Sequence, residues 1–257
     1  MLTEIVATHG WLTCTGLAIA ILAISTLHGA TGLAGGFLLG ALLAPFVGVR
    51  AIVPVMSIVL LISHSSRTLL NIRDLDRKGL LLIFGPAIPG IIFIAGLYKQ
   101  IPTYLLAFVL GATILLAVPL RRWSHVRGLK IGKLPLALAG LAFGPLTAIS
   151  LGPGVLLAPV MLAYGMAKEQ FVATLAAFAT GTNVLRVIMF GSAALIGPET
   201  IGLGLAVGAL TIPGNWLGRT FLRQMSDHRF ALLADALVLL GAAYFLWMSY
   251  QSWTALT

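Results

Sequence analysis

The sequence predicts an all-α, polytopic membrane protein built from two inverted-topology repeats of about five apolar segments each. Composition is the first observation behind this prediction. Of the 257 residues, 59% are hydrophobic and only 9% are charged, and the mean hydropathy is +1.04. A soluble domain carries about 25% charged residues because water must solvate its surface. The second observation is that the apolar runs are long and are separated by short polar stretches, which is typical of membrane-spanning helices.

The third observation is an internal repeat. At one fixed offset, glycine, aliphatic and hydroxyl positions between Gly35 and Ser65 match positions between Gly152 and Thr182. Farther along, Ile88-Pro89-Gly90 matches Ile212-Pro213-Gly214. Repeated halves are typical of transporters, in which one central site faces each side of the bilayer in turn.

Ten apolar segments follow from this pattern. The first half contains five: Trp11–Leu27, Phe37–Phe46, Ala51–Leu70, Gly79–Leu97 and Ile101–Leu120. The second half contains five more: Leu134–Leu151, Val155–Ala163, Phe171–Phe190, Thr200–Leu217 and Phe230–Met248. A basic linker, Arg121–Lys133, joins the halves. We therefore predict one membrane domain over residues 1–257, with repeat one at about 12–120 and repeat two at about 134–250.

Two of these segments are short. Phe37–Phe46 and Val155–Ala163 each cover about half of a ~30 Å hydrocarbon core at ~1.5 Å per residue. Both follow glycine clusters, and both precede a break that contains glycine. A broken backbone at membrane depth is tolerated only where protein or a water-filled cavity surrounds it. We therefore expect the two breaks to lie at the centre of the molecule. The sequence leaves open whether the short segments are re-entrant or span the membrane.

Basic residues predict the orientation. They concentrate in the loop after the third segment, in the linker and in the loop before the last segment, whereas the two termini and Gly191–Glu199 carry none. The basic stretches are expected in the cytoplasm, which places both termini outside the inner membrane. The loop after the third segment is basic but its counterpart Gly191–Glu199 is not, so the repeats are expected to be antiparallel. The net charge of +9 is then a topology signal and does not indicate nucleic-acid binding.

Two further features limit the possibilities. No Lys or Arg precedes the first apolar run, so no cleavable signal peptide is expected. The single cysteine, Cys14, excludes an intrachain disulfide and a multi-cysteine metal site. We expect no cofactor and no bound metal.

A small oxyanion at the bilayer midplane needs a replacement for its lost hydration. Helix N-termini supply N–H groups, glycines allow close approach, and hydroxyl and amide side chains add donors. The alternative interpretation is close helix packing, with each hydroxyl bonded to its own preceding turn. The predicted substrate-binding residues are Gly35, Gly36, Ser57, His64, Ser65, Gly152, Gly154, Thr174, Thr182 and Asn183.

Ionisable residues inside apolar segments are candidates for coupling or gating. His28 and Asp235 are two of them, with a hydrogen-bonded core histidine and an interfacial aspartate as the alternatives. Arg67 and Arg186 lie near the ends of their segments, on opposite faces of the membrane by this topology. We expect each to extend to the headgroups; the alternative is that each guards one vestibule.

The ordered double set of motifs carries a family resemblance. The first half has Gly32-Leu33-Ala34-Gly35-Gly36, Gly48, Ser57 and Ile88-Pro89-Gly90, and the second has Gly152-Pro153-Gly154, Pro159, Gly165, Thr174 and Ile212-Pro213-Gly214. From about His28 to about Met248 the chain resembles the sulfite exporter TauE/SafE family of bacterial membrane permeases. The resemblance implies transport of sulfite or an organosulfonate. Pro153 and Ala41 depart from the family's pattern near the expected substrate position.

The predicted function is therefore a permease without enzymatic activity. It is expected to move a small oxyanion outward across the bacterial inner membrane by alternating access, with the lipid bilayer and the anion as its partners. Alternatives are a transporter or channel for a carboxylate or a metal cation and, much less favoured, an intramembrane enzyme. The sequence predicts neither the exact substrate nor the oligomeric state.

Overall fold

The computed structural model describes residues 2–31, 35–113, 115, 130–151, 153–221 and 227–254. Every regular element in these ranges is helical, which confirms the predicted all-α class. The helices are α1 (Leu2–Thr31), α2 (Gly35–Val47), α3 (Val49–Leu70), α4 (Arg77–Leu97), α5 (Thr103–Thr113), α6 (Lys133–Ile149), α7 (Pro153–Ala163), α8 (Lys168–Ser192), α9 (Pro198–Phe221) and α10 (Asp227–Thr254). Most of the predicted linker and Gly152 lie outside the described residues.

The protein is a multi-pass membrane protein. Five of the described helical stretches are long and apolar enough to cross a bilayer: Gly10–Gly29, Val49–Leu70, Arg77–Gln100, Glu169–Ser192 and Pro198–Gly218. Large apolar side chains such as Leu81, Phe93 and Trp216 are exposed on the outside of the bundle. In a bilayer these side chains face lipid, so their exposure needs no protein partner.

The two short helices end where the repeat predicts. Gly48 separates α2 from α3 and has a φ of 80°, and Gly165 follows α7 with a φ of 97°. Side chains other than glycine rarely adopt this left-handed backbone. Gly48 and Gly165 are equivalent positions in the two halves, so the same residue type produces the same break twice.

The most extensive helix contacts are α4 with α6 and α1 with α9. If the two halves are repeats, these two contacts are equivalent, because in each of them the first helix of one half packs on the fourth helix of the other half. Gly140 faces Ile83 and, one turn on, Gly144 faces Ala87. The α4 and α6 helices therefore run parallel, with backbones brought close by small residues.

The equivalent helices α3 and α8 cross each other in opposite directions. The Thr68 and Thr180 hydroxyls are 3.1 Å apart, and the Asp76 amide, beyond the end of α3, donates to Thr174 Oγ1, early in α8, at 3.1 Å. Of the five candidate spans, those in α3 and α8 have the largest share of residues buried inside the protein, 67% and 56%. They form the centre of the bundle. The inverted relation of the complete halves stays a prediction.

Replacing Gly140 by alanine tests the α4–α6 contact. A Cβ at Gly140 would collide with the backbone carbonyl of Ile83, whereas a Cβ at Gly85, an exposed position of α4 two residues farther on, would meet nothing within 4 Å. We expect Gly140→Ala to lower the free energy of unfolding by about 1–3 kcal/mol. Gly85→Ala should be neutral or stabilising by up to ~1 kcal/mol. Thermal unfolding in detergent measures both, and equal melting temperatures for the two variants would contradict this packing.

Candidate anion-binding site

The two glycine-rich junctions meet in the interior of the protein. A Cβ at Gly36, in the first turn of α2, would collide with the backbone carbonyl of Leu151, two residues before α7 begins. Leu151 and Phe37 are both fully buried. The junctions therefore lie inside the bundle, as the sequence predicts. The residue that follows the first break, Gly36, is in contact with Leu151, which lies between α6 and α7.

Arg67 and Arg186 lie close to this junction and are buried, at 2% and 0% exposure. The prediction that they extend to the headgroups is wrong. Each belongs to a central helix that other helices surround, so its side chain cannot reach the membrane surface. Both arginines reach the same junction: Arg67 contacts His28, which bonds the start of α2, and Arg186 bonds Ser150, the residue before Leu151.

Arg186 is held at the C-terminal end of α6. Its Nη2 donates to the carbonyl oxygens of Thr147 and Ser150, and its Nη1 donates to Asn183 Oδ1 at 3.3 Å. The last carbonyls of a helix lack partners within the helix, and a cation there also interacts favourably with the helix dipole. Of its nitrogens, Nε has no hydrogen-bond partner.

Arg67 is much less well satisfied. Its Nη1 is 3.4 Å from His28 Nε2 and 3.3 Å from His64 Nδ1, while Nε and Nη2 are buried with no hydrogen-bond partner among the described residues. The backbone N–H of Gly35, at the start of α2, donates to His28 Nδ1 at 3.2 Å. An imidazole that accepts at Nδ1 carries its proton on Nε2. His28 and Arg67 therefore point two donors at each other, and an acceptor beside them would satisfy both.

The site has positive charge without a protein counter-charge among the described residues. No acidic side chain in these ranges forms an ion pair with either guanidinium. Leaving a buried charge unpaired is strongly unfavourable. The donors, the two charges and the start of α2 thus form a site suited to an anion.

Comparison with known proteins identifies the family of the chain. The model of the sulfite exporter TauE/SafE family matches residues 17–245, from α1 to α10. The chain belongs to this family. No curated protein and no solved structure matches the chain. A TauE/SafE member is a membrane transporter, which confirms the resemblance inferred from the glycine, proline and hydroxyl motifs.

Several predicted site residues of this TauE/SafE protein have hydrogen-bond partners within the protein. Ser57 Oγ donates to the carbonyl of Pro54 at 2.6 Å, and Thr182 Oγ1 donates to that of Phe178 at 3.0 Å. These are the intrahelical bonds given above as the alternative interpretation. Thr174 accepts from the loop after α3, some three turns from Arg186, and Ser57 lies a similar distance from Arg67. Substrate contact by these hydroxyls, and by the half-buried Ser65, stays a prediction.

Other predicted residues contribute through the backbone or through another side chain. Asn183 orients Arg186, and Gly35 orients His28, so both support the charged groups. Gly154 lies in the first turn of α7. Gly152 and the side chain of Asp235 lie outside the described part of the chain.

The sequence analysis missed a polar contact between α9 and α3. Asn215 Nδ2 donates to Ser63 Oγ at 3.0 Å and to Ser66 Oγ at 3.2 Å. Ser63 lies one helical turn before Arg67, and Ser66 directly precedes it. The Asn215 Oδ1 and the Ser25 hydroxyl are buried without a partner. A signal was present, because Asn215 directly follows the Ile212-Pro213-Gly214 motif and is a polar residue in an apolar segment.

The charge of Arg186 can be cancelled by one substitution. Asn183→Asp places a carboxylate where the amide oxygen now accepts from Arg186, so the two should form an ion pair. If an anion binds here, removing one of two positive charges should weaken its binding at least tenfold with the fold retained, and sulfite serves as the test anion. Isothermal titration of the purified protein measures the affinity.

Gln100→Glu, which adds the same charge at an exposed position, is the control and should leave the affinity unchanged. Wild-type affinity in a folded Asn183→Asp protein would show that the charge of Arg186 does not act on the anion.

Proposed function

We propose that this TauE/SafE protein moves a small oxyanion, sulfite or an organosulfonate, outward across the bacterial inner membrane by alternating access. One observation carries the proposal: Arg67 and Arg186, both buried and without an acidic partner among the described side chains, converge where two helix breaks meet. A buried positive site of this kind is stable when an anion occupies it.

The groups at the site can replace an anion's hydration shell. Arg67 offers Nε and Nη2, and His28 offers its Nε2–H. Hydrogen bonds from charged donors are about twice as strong as neutral ones. The N-terminus of α2 adds the positive end of a helix dipole, as at many anion sites. Together these donors suit the three oxygens of a sulfite or a sulfonate group.

Alternating access follows from the repeat if the halves are inverted. A pseudo-two-fold axis in the membrane plane would then pass between the antiparallel helices α3 and α8 and exchange them. The site lies where these two helices cross. The α1–α9 and α4–α6 contacts exchange under the same symmetry. Each half can adopt the conformation of the other, which moves the opening from one side of the site to the other.

The membrane potential favours export. Moving one negative charge out of a cell whose interior is negative releases about 2.3 kcal/mol per 100 mV. An anion exporter therefore needs no coupling ion, whereas an importer does. His28 and Asp235 remain the proposed positions for coupling if a proton moves as well.

Substitution of Arg67 tests the proposal. The protein is reconstituted in liposomes, and the efflux of radiolabelled sulfite is followed under an imposed potential. We expect Arg67→Gln to lower the flux at least tenfold, because the side chain keeps its length but loses its charge and its bidentate donor edge.

The matched control is Arg73→Gln, which removes the same charge from an exposed position in the loop after α3; this variant should transport like the wild type. Size-exclusion chromatography checks that both variants are folded. Undiminished efflux through folded Arg67→Gln, or no efflux through the wild type with any sulfur oxyanion, would refute the proposed function.

A further inference from the structure

The charge of the site bears on the charge of its ligand, an inference that rests on the proposed function. Arginine stays protonated in proteins, so Arg67 and Arg186 contribute two positive charges. The described groups near them are the side chain of Asn183, the carbonyls of Thr147 and Ser150, the phenol of Tyr98 and two imidazoles, of which His28 accepts a backbone hydrogen bond. None of them is a carboxylate. Without a ligand the site carries two buried charges that no described side chain balances.

We infer that the transported species is a doubly charged anion, so that the loaded site is electrically neutral. The sulfite dianion fits this requirement and bisulfite does not. An organic substrate would carry a sulfonate and a second acidic group, as sulfoacetate does. A singly charged sulfonate leaves one guanidinium unpaired in the interior, and a zwitterionic aminosulfonate leaves both uncompensated.

The two arginines have different roles in this arrangement. Arg67 has Nε and Nη2 free. These two nitrogens form one edge of the guanidinium group and bind two oxygens of one anion in parallel. Arg67 therefore binds the first acidic group directly. Arg186 uses both Nη atoms on α6 and Asn183, so it acts mainly through its charge and fixes the preference for a second negative charge.

The first measurement is the charge moved per anion. Sulfite flux and electrical current are recorded together from liposomes that contain the intact protein. We expect two elementary charges per sulfite. One charge per sulfite with no proton carried alongside, as a pH-sensitive dye inside the liposomes reports, would overturn the inference while leaving the proposed function in place.

The second measurement is competition. Sulfoacetate should inhibit sulfite efflux at least tenfold more strongly than methanesulfonate, which has the same sulfonate but no second charge. Arg186→Gln should lower this ratio at least tenfold, whereas Arg186→Lys, which keeps the charge, should preserve it. Arg73→Gln is the control for a charge removed elsewhere.

The outcomes separate the two proposals. Equal inhibition by sulfoacetate and methanesulfonate in the wild type would refute the dianion preference alone. An unchanged ratio in folded Arg186→Gln would refute the role of Arg186. If Arg186→Gln does not fold, Arg186→Lys still tests it, because a ratio that falls with the charge retained contradicts a role through charge. A wild-type protein that moves no anion would refute the proposed function and this inference with it.

Discussion

The structure depends on two positive charges that are buried where broken helices meet. Arg67 and Arg186 lie on the two central helices, α3 and α8, which cross in opposite directions. Arg67 is close to the start of α2, and Arg186 is at the end of α6. An unpaired charge in a protein interior is unfavourable. The anion proposed above would supply the negative charge that the described side chains do not. The family assignment over residues 17–245 independently identifies the chain as a membrane transporter, the class of protein in which such a site would act.

The broken helices and the arginines support each other. A break leaves carbonyls at the end of one helix and N–H groups at the start of the next, and in a membrane interior each needs a partner. Arg186 bonds the carbonyls at the end of α6, and His28 accepts from the N–H at the start of α2. The two halves thus satisfy similar breaks with different residues. This difference leaves Arg67 with free donors and Arg186 with almost none.

Most of the fold could be predicted from the sequence, because hydrophobic run length and glycine position act locally. Most of the predicted segments match the helices to within about four residues, but α1 begins nine residues before the predicted start, beyond a kink at Gly10, and α10 ends six residues after the predicted end. Gly48 and Gly165 end the short helices as expected. The burial of Arg67 and Arg186 could not be predicted in this way. Distance from a helix end gives the depth of a residue in the membrane, but whether the helix is central or faces lipid depends on packing between distant segments.

The polar contacts of Asn215 could not be predicted for the same reason, because its partners Ser63 and Ser66 lie about 150 positions earlier. Ser57 illustrates a third limit, since a hydroxyl on a helix can bond its own backbone or a ligand and the sequence is identical in both cases.

The central claim is that an anion binds between Arg67, His28 and the start of α2. An experimental structure of the protein with selenite, a heavier analogue of sulfite, tests it most directly, because selenium is located by its anomalous scattering. The account predicts one anomalous peak within hydrogen-bonding reach of Arg67 Nε and Nη2 and of His28 Nε2, beside the contact of Gly36 with Leu151. A peak only at the membrane surface, or an ordered interior without one at saturating selenite, would contradict it.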